Sequence, residues 1–369
     1  MQAFLPVTRC FVLFFFVSFT LSNAQTFPTD TWETADPALQ NVDPAELENA
    51  VNYLKGQAGR DSCKELVIVK NGYVIWQGEN SNNIHGVWSI AKSFTSTVLG
   101  LLIDDEKCSL ETHASKYVPS LSAYYADVTL KHFATMTSGY RALGDEPQGD
   151  YKHGPSIMPF SPDPYPLFSP GSHFAYWDSA MNQFANVLKH IAGKPLDQFF
   201  SERIARPIGL TDEAWEWGKL AGDDGAVVCG AGNHAQLKIS SLGLARLGLL
   251  FLNKGQWKGQ QLISETWVSE ATQVQVPADL PISGYKNKGP GAYGYNWWIN
   301  GSGPDSQLKW SNAPIDAYAA SGFNNNDMFI IPSLHMVIVR LGTDQDEAEI
   351  TDNVYSKFLG MISKANAEN

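Results

Sequence analysis

The segment Trp88-Ser89-Ile90-Ala91-Lys92-Ser93-Phe94-Thr95-Ser96 decides the fold. It places a Ser-x-x-Lys tetrad where a helix begins, because Phe94, Val98, Leu101 and Leu102 then recur at helical spacing. Residues three apart share a helix face, so the Lys92 amine reaches the Ser89 hydroxyl. A helix N-terminus also offers free N–H groups and a positive dipole end to a developing oxyanion. A lysine acts as a base only when neutral, and burial favours that form. The tetrad alone is weak: Ser283/Lys286 and Ser306/Lys309 repeat it, but inside loops of Gly, Pro and Asn.

Outward from this segment, the chain has 369 residues, 44% hydrophobic and 12% aromatic, enough for a sizeable core. Cys10–Leu21 is almost wholly apolar after Arg9, and Ser22-Asn23-Ala24 supplies small residues before Gln25. Residues 1–24 therefore read as a cleaved signal peptide, the run being too short to span a bilayer. A secreted or periplasmic product without a stable membrane anchor is expected. A formal net charge of −12 with no basic cluster argues against a nucleic-acid partner. Cys63, Cys108 and Cys229 follow the signal, an odd number that permits one intrachain disulfide at most. Asn300-Gly301-Ser302 is a glycosylation sequon.

Pro44–Lys55 is predicted as a helix and Leu66–Trp76 as a β-hairpin around Asn71-Gly72. Helical patterns cover Asn182–Ile191, Leu196–Ile204 and Ser241–Leu252, separated by Gly- and Pro-rich loops. Strands return at Met328–Pro332 and His335–Leu341, and a helix is expected from Glu347 to Ile362. The simplest assembly is an antiparallel sheet built from both ends of the chain and flanked by helices. Its α/β part spans about 45–88 and 225–369, and a mostly helical part spans about 89–224, within one domain over 25–369. Gly289–Gly294 and Gly230–Ala235 fit G-x-G-x-x-G patterns but lack the strand-to-helix context of a dinucleotide site. No G-x-S-x-G exists. No H-x-x-x-H pair exists either, so neither metal nor organic cofactor is expected.

The nucleophile segment resembles that of the β-lactamase-related serine hydrolases: class C β-lactamases, DD-peptidases, lactamase-fold esterases and 6-aminohexanoate-dimer hydrolases. Val128–Gly139, Pro170–Tyr176, Arg206–Leu210, Gly230–Gly259 and Tyr293–Trp298 resemble further segments of that family, in the same order. The resemblance covers roughly Glu65 to Gly342 and implies a serine β-lactamase-like α+β fold with its site between the sheet part and the helical part. It implies Ser89 as nucleophile, with Lys92 and Tyr176 moving the proton. The family's Y-x-N reads Tyr176-Trp177-Asp178 here. Asp178 accepts a hydrogen bond from Lys92 but, when ionised, donates none, and it favours the protonated amine. The third motif, usually K-T-G, aligns with Ala320-Ser321-Gly322, so the amides of Ser89 and Phe323 are the implied oxyanion donors.

Ala320 offers no cation for a substrate carboxylate. That shifts the expected substrate to a neutral ester or short amide cleaved through an acyl-enzyme. The rival readings are a β-lactamase or DD-peptidase, and a non-catalytic binding domain of the same fold. Tyr140, Trp177, Trp297 and Trp298 are candidate walls of an apolar pocket for this small-molecule substrate.

Overall fold

The computed structural model describes residues 26–145, 158–218, 237–283 and 289–366. The expected signal peptide, Cys229 and the Gly230–Ala235 motif lie outside the described residues. In chain order the elements are α1 (Pro44–Lys55), β1 (Leu66–Lys70), β2 (Tyr73–Gln77), β3 (His85–Gly86), α2 (Ala91–Asp104), α3 (Leu130–Ala134), α4 (Asp178–Ala192) and α5 (Leu196–Phe200). There follow β4 (Trp215–Trp217), β5 (Leu237–Ile239), α6 (Ser241–Leu252), β6 (Gln256–Trp257), β7 (Gln260–Gln261) and α7 (Glu265–Ala271). The chain closes with β8 (Trp298–Ile299), β9 (Tyr318–Gly322), β10 (Asn326–Ile331), β11 (Met336–Arg340) and α8 (Asp352–Ala365).

Local chemistry sets these boundaries. Asp43 caps α1 by accepting from Ala45 and Glu46 N–H at 2.8 and 3.1 Å, with Pro44 in the first turn. The β1–β2 hairpin turns on Asn71 (φ 54°) and Gly72 (φ 87°), the left-handed pair a two-residue turn requires. The helical stretch after Pro195 is α5 followed by a π-turn over Ser201–Ala205. The last helix starts five residues later than the sequence pattern indicates. Residues 343–350 are engaged elsewhere: Glu347 accepts from the Arg60 amide at 2.8 Å and Asp344 pairs with Arg340. Thr351 then caps α8 through Val354 N–H.

The main sheet has six antiparallel strands in the order β2-β1-β11-β10-β9-β8. Both ends of the chain build it, as the sequence indicates. Its pleat divides two cores. Val67, Val69, Val337, Val339, Met328 and Ile330 face the side covered by α6; Leu66, Ile68, Ile338, Phe329 and Ile331 belong to the core of α1 and α8. Burial on both faces explains the apolar runs Leu66–Val69, Met328–Ile331 and Met336–Val339 within β1, β10 and β11. Between β3 and β5 the described residues hold α2, α3, α4 and α5 joined by long loops, and β3, β5 and β4 form a small second sheet.

The sequon is structural: Asn300 is buried, its Oδ1 accepts from Trp310 N–H at 2.8 Å, and its Nδ2 donates to Pro314 O at 3.0 Å. Cys63 and Cys108 are both free thiols, so they do not pair with each other. Burial pushes them up to about 12 and about 11 respectively. Among the described residues no helix is long and apolar enough to cross a membrane.

Candidate active site

Ser89 lies half-buried in a short 3₁₀ turn, Trp88–Ile90, that runs directly into α2. The turn is tied to the small sheet by Val87 N–H donating to Leu237 O at 2.9 Å. One turn of helix later, Lys92 Nζ donates to Ser89 Oγ at 2.7 Å and to Asp178 Oδ1 at 2.7 Å. Its side chain is 1% exposed and that of Asp178 14%. Asp178 is the first residue of α4, where the helix dipole adds to the preference for an ionised carboxylate. Burial opposes the charge on Lys92 and the Asp178 carboxylate supports it.

Tyr176 covers this pair: Lys92 Nζ stands 4.6 Å from its ring centroid. Two of the segments singled out in the sequence fix the tyrosine between them. Ala175 N–H donates to Met136 O at 2.9 Å, and Gly171 N–H to Thr137 O at 2.8 Å, so Thr135–Gly139 backs the Pro170–Tyr176 run. On the outer side Tyr176 stacks on Trp298, centroids 5.7 Å apart and rings 22° from parallel. Ser93, beside Lys92, donates to Asn296 O at 2.8 Å and anchors the segment that carries Trp298.

The end of β9 closes the other side. A Cβ on Gly322 would overlap the Val87 carbonyl oxygen and stand 3.1 Å from the Ser89 nitrogen. This close approach requires glycine and brings the strand end that precedes Phe323 against the Ser89 backbone. The Phe323 ring, 37% exposed, meets Trp88 edge to face at 5.3 Å and 77°.

Not every residue picked from sequence reaches the site. Tyr140 is wholly buried against Tyr125 and Phe133 and donates to Pro159 O at 2.7 Å. Trp297 is wholly buried against Phe251 and Tyr318. Trp177 is buried with its indole N–H on Asp145 Oδ2 at 2.8 Å. These three are buried in packing contacts, whereas Trp298 stands beside Tyr176. Ser321 alternates with Ala320 on β9 and shares the α8-facing side with its register partner Asp327, away from α2. Ala320 is buried in the main core.

The buried Asp327 carboxyl is a group that motif reading missed. Desolvation pushes it up to about 6, opposed by the hydroxyls of Ser321 and Tyr355. Lys309, discounted as a loop lysine, places Nζ 4.4 Å over the Trp298 ring and 3.0 Å from Asp352.

A sequence profile described as Beta-lactamase matches residues 65–357. The chain belongs to the beta-lactamase family of serine hydrolases. It is 22% identical over 372 residues to the 6-aminohexanoate-dimer hydrolase of Paenarthrobacter ureafaciens, covering 89% of this chain and 88% of that one. It is 33% identical over 139 residues to the D-alanyl-D-alanine-carboxypeptidase/endopeptidase AmpH of Escherichia coli K12, a match that spans 34% of this chain and 35% of AmpH. A family VIII carboxylesterase structure superposes with a TM-score of 0.63 at 16% identity, covering 91% of this chain and 99% of that one, which establishes the shared fold.

Proposed function

We propose that this family member hydrolyses a neutral ester or short amide through an acyl-enzyme on Ser89. The observation that carries the proposal is the Lys92 amine held 2.7 Å from Ser89 Oγ at the start of α2, under Tyr176. In this reading Ser89 Oγ attacks the carbonyl carbon while its proton passes to Tyr176 and Lys92. The oxyanion rests on the amides of Ser89 and Phe323. The proton then goes to the departing alcohol or amine as the carbon–leaving-group bond breaks. Water, deprotonated by the same groups, attacks the acyl carbon, releases the acid and restores Ser89. Asp178 favours the ammonium form of Lys92, so the Ser89 proton goes chiefly to Tyr176 in its phenolate form, which that ammonium stabilises, or to Lys92 in the fraction that is neutral.

Substrate class follows from charge. Ala320 leaves the third motif without a cation, and Trp298 and the exposed Phe323 ring border the nucleophile with apolar surface. A neutral acyl group fits this better than a carboxylate-bearing β-lactam or D-Ala-D-Ala peptide. We also propose that residues 1–24 direct export, which N-terminal sequencing of the secreted or periplasmic product would test.

The deciding experiment is mass spectrometry after a fluorophosphonate probe, with a panel of p-nitrophenyl esters and anilides. Labelling of Ser89, and its loss with turnover in Ser89→Ala, supports the reading. Near-normal activity in purified Ser89→Ala refutes it. Faster turnover of a chromogenic cephalosporin than of p-nitrophenyl butyrate overturns the substrate assignment in favour of a β-lactamase.

A further inference from the structure

The three residues that join β9 to β10, Phe323–Asn325, are held far more firmly than a hairpin turn requires. Asn324 (φ 69°) and Asn325 (φ 58°) are both left-handed. Asn324 N–H donates to Gln345 Oε1 at 2.7 Å. The Asn325 side chain donates to Ala348 O at 2.8 Å and accepts from Ile350 N–H at 2.8 Å. Arg340 donates to Asn325 O at 3.1 Å and is clamped by both Asp344 oxygens at 2.8 Å, in a fully buried pair.

Two contacts in this assembly bear on Phe323 itself. Asn326 is fully buried, and its Nδ2 donates to Phe323 O at 2.6 Å while its Oδ1 accepts from Gly342 N–H at 3.0 Å. Gly342 N–H can only donate and Phe323 O can only accept, so the amide has one satisfied orientation. From the opposite side comes Trp88, next to the nucleophile, with φ at 53°. A bulky side chain in the left-handed region is strained, and glycine would adopt the same backbone freely. Glycine would lack the ring that rests edge-on against Phe323. Strain kept beside a reacting group points to a task there.

We propose that Trp88 and Asn326 are positioning residues that set the separation and aim of the Ser89 and Phe323 amides toward the tetrahedral intermediate. Trp88 sits at position −1 to one donor and grips the ring of the other; Asn326 pins the carbonyl of that second donor. The inference rests on Ser89 as nucleophile and Phe323 as second donor.

The test compares Asn326→Asp, Trp88→Gly and Trp88→Phe with wild type. Fluorophosphonate titration counts functional sites, p-nitrophenyl butyrate gives kcat and KM per site, and an alkylboronic acid reports affinity for a tetrahedral adduct on Ser89. Asn326→Asp keeps an acceptor for Gly342 but turns a carboxylate oxygen on the Phe323 carbonyl. Asn326→Asp and Trp88→Gly should lose about 10- to 100-fold in kcat per titrated site with KM little changed. Boronate affinity should fall in parallel, and Trp88→Phe should recover most of both. Unchanged boronate affinity per titrated site overturns the proposal, as does equal behaviour of Gly and Phe at position 88 should Asn326→Asp fail to fold. If wild-type Ser89 takes no label, the functional reading fails instead.

Discussion

Gly322→Ala is the sharpest perturbation of the site, because it changes one methyl group at a known place. Gly322 is not in the left-handed region, so alanine meets no backbone penalty. The whole effect comes from contact: the new Cβ overlaps the Val87 carbonyl oxygen and stands 3.1 Å from the Ser89 nitrogen. Non-bonded heavy atoms settle near 3.5–4.0 Å, so the end of β9 has to retreat by about 1–2 Å. A misplacement of about 1 Å costs on the order of 10²-fold, and loss of one oxyanion donor about 10²–10³-fold, or roughly 3–4 kcal/mol. The variant should therefore fold yet fall about 10²–10³-fold in kcat/KM for p-nitrophenyl butyrate. Circular dichroism melts and fluorophosphonate titration separate this from unfolding. Gly56→Ala, whose Cβ would find only ordinary contacts at 3.5 Å or more, is the control. Wild-type kcat/KM in folded Gly322→Ala would refute the assignment of the β9 end to the oxyanion site.

Tyr176→Phe keeps the stacking on Trp298 but removes the hydroxyl, so kcat should fall about 10²–10⁴-fold; a loss under tenfold would show that Lys92 carries the proton alone. Asp178→Asn removes the carboxylate that holds Lys92 charged and should move the acidic limb of the kcat/KM profile to lower pH, whereas a limb left in place makes Asp178 structural. Asp327 bears on stability. Its folded value of about 6 lies above the ordinary 3.8, so the stability from its proton is complete at low pH and lost as pH rises toward 6. Asp327→Asn keeps a neutral group there, so the variant-minus-wild-type unfolding free energy should climb by up to about 3 kcal/mol between pH 4 and pH 7. A pH-independent difference in urea titrations would rule this out.

The parts legible in the sequence are those governed by neighbours in the chain. Asn71-Gly72 announces its own turn, Asp43-Pro44 its helix start, and Ser89 and Lys92 their separation on one helix face. Departures from the family pattern at Asp178 and Ala320 were visible because a motif gives each position a role. Direction was not legible for isolated aromatics. Trp297 and Trp298 are adjacent, yet one is sealed in the core and the other stacks on Tyr176, a choice made by the packing of Phe251 and Tyr318. The polar brace behind Phe323 was invisible for a related reason. Asn325, Asn326, Arg340 and Asp344 look like ordinary surface residues until β10 and β11 bring them together. The expected helix start at Glu347 failed because those residues serve that brace and Arg60 instead.

The pairing of β1 with β11 has a consequence for synthesis. A ribosome finishes Leu66–Lys70 long before it makes Met336–Arg340, yet the first strand's direct partner on that side is the second. The nascent chain therefore carries an open strand edge through nearly its whole translation, and a product truncated before residue 336 has a sheet cut through its middle. Until Met336–Arg340 is made, β1 has no partner on that side, and the pairing has to close a long loop. The same pairing seats α1 against α8 and bridges Val42 to Asn366. A circular permutant that links residue 366 to residue 42 and opens at an exposed loop should separate β11 from β1 by α8 and α1 alone, and fold faster than the natural order.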